Sequence, residues 1–168
     1  MKKLQLALIL ALGISGSAGV QALASSHSYD LYTADEGSVD LFGAWGSRNR
    51  DGHSSDAWGP GVGANYFFTQ NIGAGVDTYT DGIRLPYLLN LSGIFRYPIP
   101  QIPPLAPYGF GGIGRQWDHA AQWTGHIGVG AEYRFRPHTG AFVDLREVFP
   151  ADTKDYTVFR FGLRFKFR

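Results

Sequence analysis

The sequence predicts an all-β protein: an eight-stranded antiparallel up-and-down β-barrel that crosses a membrane, of the outer-membrane type. Three observations carry this prediction. The first is composition: the 168 residues include 23 Gly, 15% aromatic side chains and only 17% charged ones. A helical domain tolerates so much glycine poorly, since each helical Gly costs roughly 1 kcal/mol relative to Ala. A disordered chain is poor in aromatics. The second is a period-two alternation of apolar and small or polar residues along most of the chain, which is a strand signature. The third is an export signal at the N-terminus.

That signal is residues 1–24. Met1, Lys2 and Lys3 form a basic head, residues 4–20 are uncharged and apolar or small, and Ala22-Leu23-Ala24 fits a small-residue cleavage site after Ala24. This is the pattern of a Sec signal peptide that is removed. A retained anchor is the alternative, and Gly13, Gly16 and Gly19 argue against it. The formal net charge of +1 turns slightly acidic once Lys2 and Lys3 are removed, which excludes a nucleic-acid binder. The chain has no Cys, so disulfides, a thiolate zinc site and a Cys nucleophile are excluded. Residues 25–36 are polar and are expected to be a flexible lead-in. Residues 37–168 are the barrel domain.

The strands follow in order. Val39, Leu41 and Trp45 alternate with Asp40, Phe42 and Ala44. Val62, Ala64, Tyr66 and Phe68 alternate with Gly61, Gly63 and Asn65. Ile72, Ala74 and Val76 alternate with Gly73, Gly75 and Asp77. Tyr87, Leu89, Leu91, Phe95 and Tyr97 alternate with Leu88, Asn90, Ser92 and Arg96. Tyr108 and Phe110 alternate with Gly109, Gly111 and Ile113. Trp123, Ile127, Val129, Ala131, Tyr133 and Phe135 alternate with Thr124, His126, Gly128, Gly130, Glu132 and Arg134. Ala141, Val143 and Leu145 alternate with Asp144 and Arg146. Phe159, Phe161, Leu163, Phe165 and Phe167 alternate with Arg160, Gly162, Arg164 and Lys166. The connections alternate too. Residues 69–71 and 136–139 are tight turns, whereas 47–57, 80–84, 116–122 and 150–155 are longer polar loops. Residues 98–107 hold five prolines and read as a stiff turn, because proline cannot extend a ladder. Short periplasmic turns and longer outer loops mark bacterial outer-membrane barrels.

Volume decides which face looks in. An eight-stranded barrel is just wide enough to be filled by side chains, so the large apolar sets belong outside, against lipid. Strand stretches of about 9–11 residues suit a tilted crossing. Trp45, Phe68, Tyr87, Tyr97, Tyr108, Trp123, Tyr133, Phe135 and Phe167 are then candidates for two interfacial belts. The lumen receives Asp40, Asp77, Arg96, Arg115, Glu132, Arg134, Asp144, Arg146, Arg160, Arg164 and Lys166. Barrel closure brings Asp40 near Arg164 or Lys166. Residues 25–95 carry three basic and eight acidic groups, and residues 96–168 carry ten and six, which is consistent with pairing across a closed lumen. Buried charges must be paired or hydrated.

The stretch TGHIGVGAEYRF at 124–135 and PHTGAFVDLR at 137–146 resemble the penultimate hairpin of small outer-membrane barrels of the OmpA/OmpX/opacity type. FRFGLRFKFR at 159–168 resembles their last strand. The resemblance covers residues 38–168 in pattern and 107–168 closely. It implies that Phe159, Phe161, Leu163, Phe165 and Phe167 form the signal read by the barrel-assembly machinery. This chain departs by ending on Arg168 after Phe167.

The expected role is structural or an interaction at the bacterial surface, in contact with outer-membrane lipid and lipopolysaccharide, without catalysis or cofactor. The alternatives are a narrow transport pore, a lipid A-modifying enzyme and a soluble periplasmic barrel that binds an apolar ligand. The five histidines, at 27, 53, 119, 126 and 138, form no zinc-protease spacing, and G-x-S-x-G and P-loop motifs are absent. His126 falls on the lumen side with no Ser two residues away. His53, Ser54, Ser55 and Asp56 fall in a loop. Arg48 and Arg50 in that loop are candidates for lipopolysaccharide phosphates.

Overall fold

In a computed structural model, eight antiparallel strands close into one barrel. The structure describes residues 31–50, 53–80, 88–117 and 121–167, with the side chains of 47–50 and 53–56 left out. The strands are β1 (Glu36–Arg50), β2 (His53–Phe67), β3 (Ile72–Tyr79), β4 (Leu88–Arg96), β5 (Leu105–Trp117), β6 (Ala121–Arg136), β7 (Thr139–Pro150) and β8 (Tyr156–Lys166). Each pairs with the next, and β8 closes on β1 with Asp40 opposite Arg164 and Leu41 opposite Leu163. Closure leaves no edge, so the ladder satisfies the strand backbones as hydrocarbon requires.

One end of the barrel carries the tight connections and the other the loops. At the turn end, Thr69 Oγ1 accepts from the amides of Asn71 and Ile72 at 3.2 and 2.9 Å. The proline-rich turn is held by bonds from the Ile99 amide to Leu105 O and from the Leu105 amide to Ile102 O, at 3.0 and 2.8 Å. Pro107 lies within β5, opposite Ala131. At the loop end the strands run further than expected. Strand β1 reaches Arg50 and β2 begins at His53, so most of 47–57 is strand. Likewise β5 reaches Trp117 and β6 begins at Ala121. Long antiparallel hairpins retain their ladder bonds beyond the barrel wall, and composition alone reads such polar stretches as loop.

Polarity is inverted relative to a soluble barrel. Val129, Ile127 and Leu91 are 66%, 60% and 58% exposed, while Arg96, Arg146 and Glu132 are 0% exposed. Phe161 and Leu163 also face out, and Arg134 and Arg164 face in. The apolar face of each ribbon therefore clothes the outside.

The lumen nevertheless holds rings. Phe42, Phe67, Tyr79, Tyr108, Phe110, Phe142 and Tyr156 are buried inside it. Glycines on facing strands make the room. A Cβ on Gly61 would lie 2.3 Å from the Phe42 ring, and one on Gly128 would lie 2.3 Å from the Phe110 ring.

Candidate functional site

The lumen is the candidate site, and its contents are layered. Nearest the turn end, Glu36 accepts from Arg96 Nη1 at 2.8 Å and from Arg134 Nη1 and Nη2, with Lys166 Nζ 3.4 Å away. Glu132 takes Arg134 Nε and Arg164 Nη1, both at 2.6 Å. Arg164 also clamps Asp40 through two bonds of 2.7 Å. A second tier lies deeper. Arg146 donates twice to Asp77, at 3.0 and 2.7 Å, and Arg160 donates twice to Asp144, at 2.7 and 2.9 Å. Arg160 Nη1 also stands 3.2 Å from Asp77.

Neutral donors complete both tiers. Asn65 donates to Asp40 at 2.9 Å, Asn90 to Asp77 at 3.0 Å, and the Tyr108 hydroxyl to Asp144 at 2.8 Å. Paired, multiply bonded guanidinium and carboxylate groups are the form in which buried charge is tolerated. A cavity of about 20 Å³ remains, lined among others by Asp40, Asp77, Arg146 and Arg160. It has room for a single water.

Toward the loop end the filling turns apolar. Phe42 meets Phe142 and Tyr79 edge-on, with ring centres 6.0 and 6.4 Å apart. Leu88, Val148, Tyr156 and Val158 join them in one buried cluster. A cavity of about 30 Å³ remains in this layer, lined among others by Ala44, Tyr79, Tyr156 and Val158, so an ion on the barrel axis meets a largely apolar layer and then two tiers of ion pairs.

Of the predicted lumen residues, Asp40, Asp77, Arg96, Glu132, Arg134, Asp144, Arg146, Arg160, Arg164 and Lys166 share this network. Two expectations are corrected. Arg115 lies on the outer face, opposite Trp123, with its guanidinium 5.0 Å from that ring. Tyr108 is 7% exposed inside the lumen, so it belongs to no outer belt. Both corrections have one cause: β5 presents Gly109, Gly111, Ile113 and Arg115 outward and Tyr108 and Phe110 inward. The other aromatics proposed for the belts, Trp45, Phe68, Tyr97, Trp123, Tyr133, Phe135 and Phe167, stand exposed on the outside. Tyr87 lies outside the described residues, as does the signal segment with Ala24. The side chains of Arg48, Arg50 and His53-Ser54-Ser55-Asp56 also lie outside them. Trp58 and Trp117 add to the outer set, so all four tryptophans lie in the loop-end half of their strands.

Two partners were not legible in the sequence. Glu36 is fully buried at the start of β1, and Tyr32 is 3% exposed in the stretch expected to be a flexible lead-in. The described end of that stretch packs into the turn-end mouth instead. The Tyr32 hydroxyl donates to the carbonyls of Pro104 and Glu132, at 2.8 and 3.2 Å. Its ring lies under the guanidinium groups of Arg134 and Arg96, at 4.2 and 4.7 Å. Burial, and then the nearby Glu132 carboxylate, hold the phenol above the usual tyrosine range, so it keeps the proton it donates.

His126 faces the lumen, and the fold brings Ser92 Oγ to 2.8 Å from its Nε2 across a separation that spacing does not reveal. The pair is buried beside Phe110, and His126 Nδ1 has no carboxylate partner. It packs the interior as a polar link between β4 and β6.

No protein-family model matches the chain, and no curated protein matches it. Solved structures do. The N-terminal β-barrel domain of Pseudomonas aeruginosa OprF matches at a TM-score of 0.61 and 19% identity, over 80% of this chain and 99% of that one. Neisserial surface protein A matches at 0.61 and 15%, over 78% and 97%. The fold is that of the eight-stranded outer-membrane barrel. A de novo designed transmembrane β-barrel matches at 0.59 and 19%, over 80% and 97%. A likeness shared with a designed chain speaks for architecture and leaves the role to be argued from the site.

Proposed function

We propose that this protein is an outer-membrane barrel with a closed lumen and a structural or surface-interaction role. The observation that supports the reading best is the lumen itself, with its two tiers of paired charge and an apolar layer toward the loop end. Such a filling suits an interior used as a core rather than as a path. The turn end then faces the periplasm and the loop end the outside. The loop-end tryptophans and the turn-end set of Tyr97, Tyr133, Phe135 and Phe167 serve as the two interfacial belts. Arg115 on its Trp123 ring, placed at the loop-end rim, meets the phosphates of outer-leaflet lipid, lipopolysaccharide included.

The reading predicts recovery in the outer-membrane fraction, with a gel mobility that changes on boiling. It also predicts no steady conductance in a planar bilayer. A steady conductance that is altered when Arg160 and Arg164 are replaced by Ala favours the narrow-pore reading instead. Recovery in the soluble periplasm overturns the membrane reading, and lipid A altered by expression restores the enzyme reading. Phe167 and the alternating residues before it are proposed, on the family resemblance, as the assembly signal. Deleting Phe167 and Arg168 is expected to slow assembly into vesicles containing the assembly machinery, and an unchanged rate argues against that role.

A further inference from the structure

We propose that residues 31–34 form a resident plug in a cation-lined socket at the turn end, and that its withdrawal opens this half of the lumen to water and small anions. The segment is held through Leu31, Tyr32 and Thr33. The Leu31 carbonyl accepts from Arg134 Nη1 and, at 3.4 Å, from Lys166 Nζ. The Thr33 amide donates to Glu36 Oε2 at 3.1 Å, and Lys166 Nζ donates to Thr33 Oγ1 at 3.0 Å. Asp35 takes a left-handed backbone, φ 53°, which turns the chain from the plug into β1, and its carboxylate accepts from the Tyr66 hydroxyl at 3.0 Å. A non-glycine residue in that region costs energy unless its surroundings hold it there.

The socket needs this occupant. Arg96 is stacked between two rings, 3.7 Å from Phe67 and 4.7 Å from Tyr32, and its Nη2 has no hydrogen-bond partner. Among the described residues the turn-end tier sets Arg96, Arg134, Arg164 and Lys166 against Glu36, Asp40 and Glu132. It therefore carries an excess of positive charge. The plug offsets that excess with a ring face and backbone carbonyls, which carry no full charge of their own. With Tyr32 gone, the exposed guanidinium groups form an electropositive pocket whose natural occupants are water and small anions.

The test is arginine labelling by phenylglyoxal on the folded protein in vesicles, mapped by mass spectrometry. In the parent protein Arg136, which is exposed at the turn end, is expected to label, while Arg96 and Arg134 are protected. Tyr32→Ala is expected to raise labelling of Arg96 and Arg134 about tenfold or more. Tyr32→Phe, which keeps the ring and loses both hydroxyl bonds, is expected to raise it less. Each variant is first checked for the mobility change on boiling that a folded barrel gives, and the milder variant carries the test if the other does not fold. Inorganic phosphate is expected to slow labelling of the opened Arg96 and Arg134 more than that of Arg136. The proposal is overturned if Arg96 and Arg134 label in the parent as fast as Arg136, or if no folded variant labels them faster. It loses its anion clause if phosphate slows all three equally. Arg146 and Arg160 should stay unlabelled throughout. Labelling of these two in the parent counts against the closed lumen itself and not against the plug.

Discussion

Arg164→Met is expected to lower the stability of the folded barrel by about 3–5 kcal/mol, the range for removing one partner from a buried ion pair. Arg164 is 5% exposed and is the only described cation that clamps Asp40, while it also supplies one of the two cations on Glu132. The methionine fills much of the same volume, so the loss is electrostatic. Asp40 then loses its cation beside a cavity with room for about one water, while Glu132 keeps Arg134 alone. Urea unfolding in vesicles measures the cost. The double variant Asp40→Asn, Arg164→Met discards the stranded charge together with its partner and is expected to regain most of the loss. A single-variant cost below about 1 kcal/mol, the range of exposed pairs, would mean that solvent reaches this tier freely.

The same pair shows how much of the molecule is legible in its sequence. Alternation places Asp40 and Arg164 on inward faces, and closure of the first strand on the last brings them together; both are in the sequence. Strand β5 is the instructive failure. Assigning its bulky residues outward follows from treating lumen volume strand by strand. Volume is shared between strands, and Gly128 and Gly130 on β6 vacate the space that Phe110 and Tyr108 occupy. That one inversion of facing misplaces Tyr108 and Arg115 together. Glu36 and Tyr32 escape for another reason. They lie where alternation begins or has not begun, and their partners Arg96, Glu132 and Arg134 are distant in sequence.

Val129→Arg tests the outer face where the expected penalty is greatest. Val129 is 66% exposed, sits mid-strand in β6 and is opposite Gly109 and Leu145. A guanidinium on the lipid face at the bilayer midplane costs about 2–4 kcal/mol, falling toward zero near the interfaces. Its neighbour Gly128→Ala probes the opposite face by another mechanism. The added methyl carbon would stand 2.3 Å from the Phe110 ring and 2.6 Å from the Leu145 carbonyl, and a cost of about 1–3 kcal/mol is expected from overpacking. The two losses should part under a second change. Phe110→Leu should recover part of the Gly128→Ala loss and none of the Val129→Arg loss, because only the first is steric and inside. Moving from a bilayer to a detergent micelle should shrink only the Val129→Arg penalty, because only that one depends on hydrocarbon thickness. Parent-like stability for Val129→Arg in bilayers would place this face away from the hydrocarbon, and the belts and the closed lumen would need another explanation.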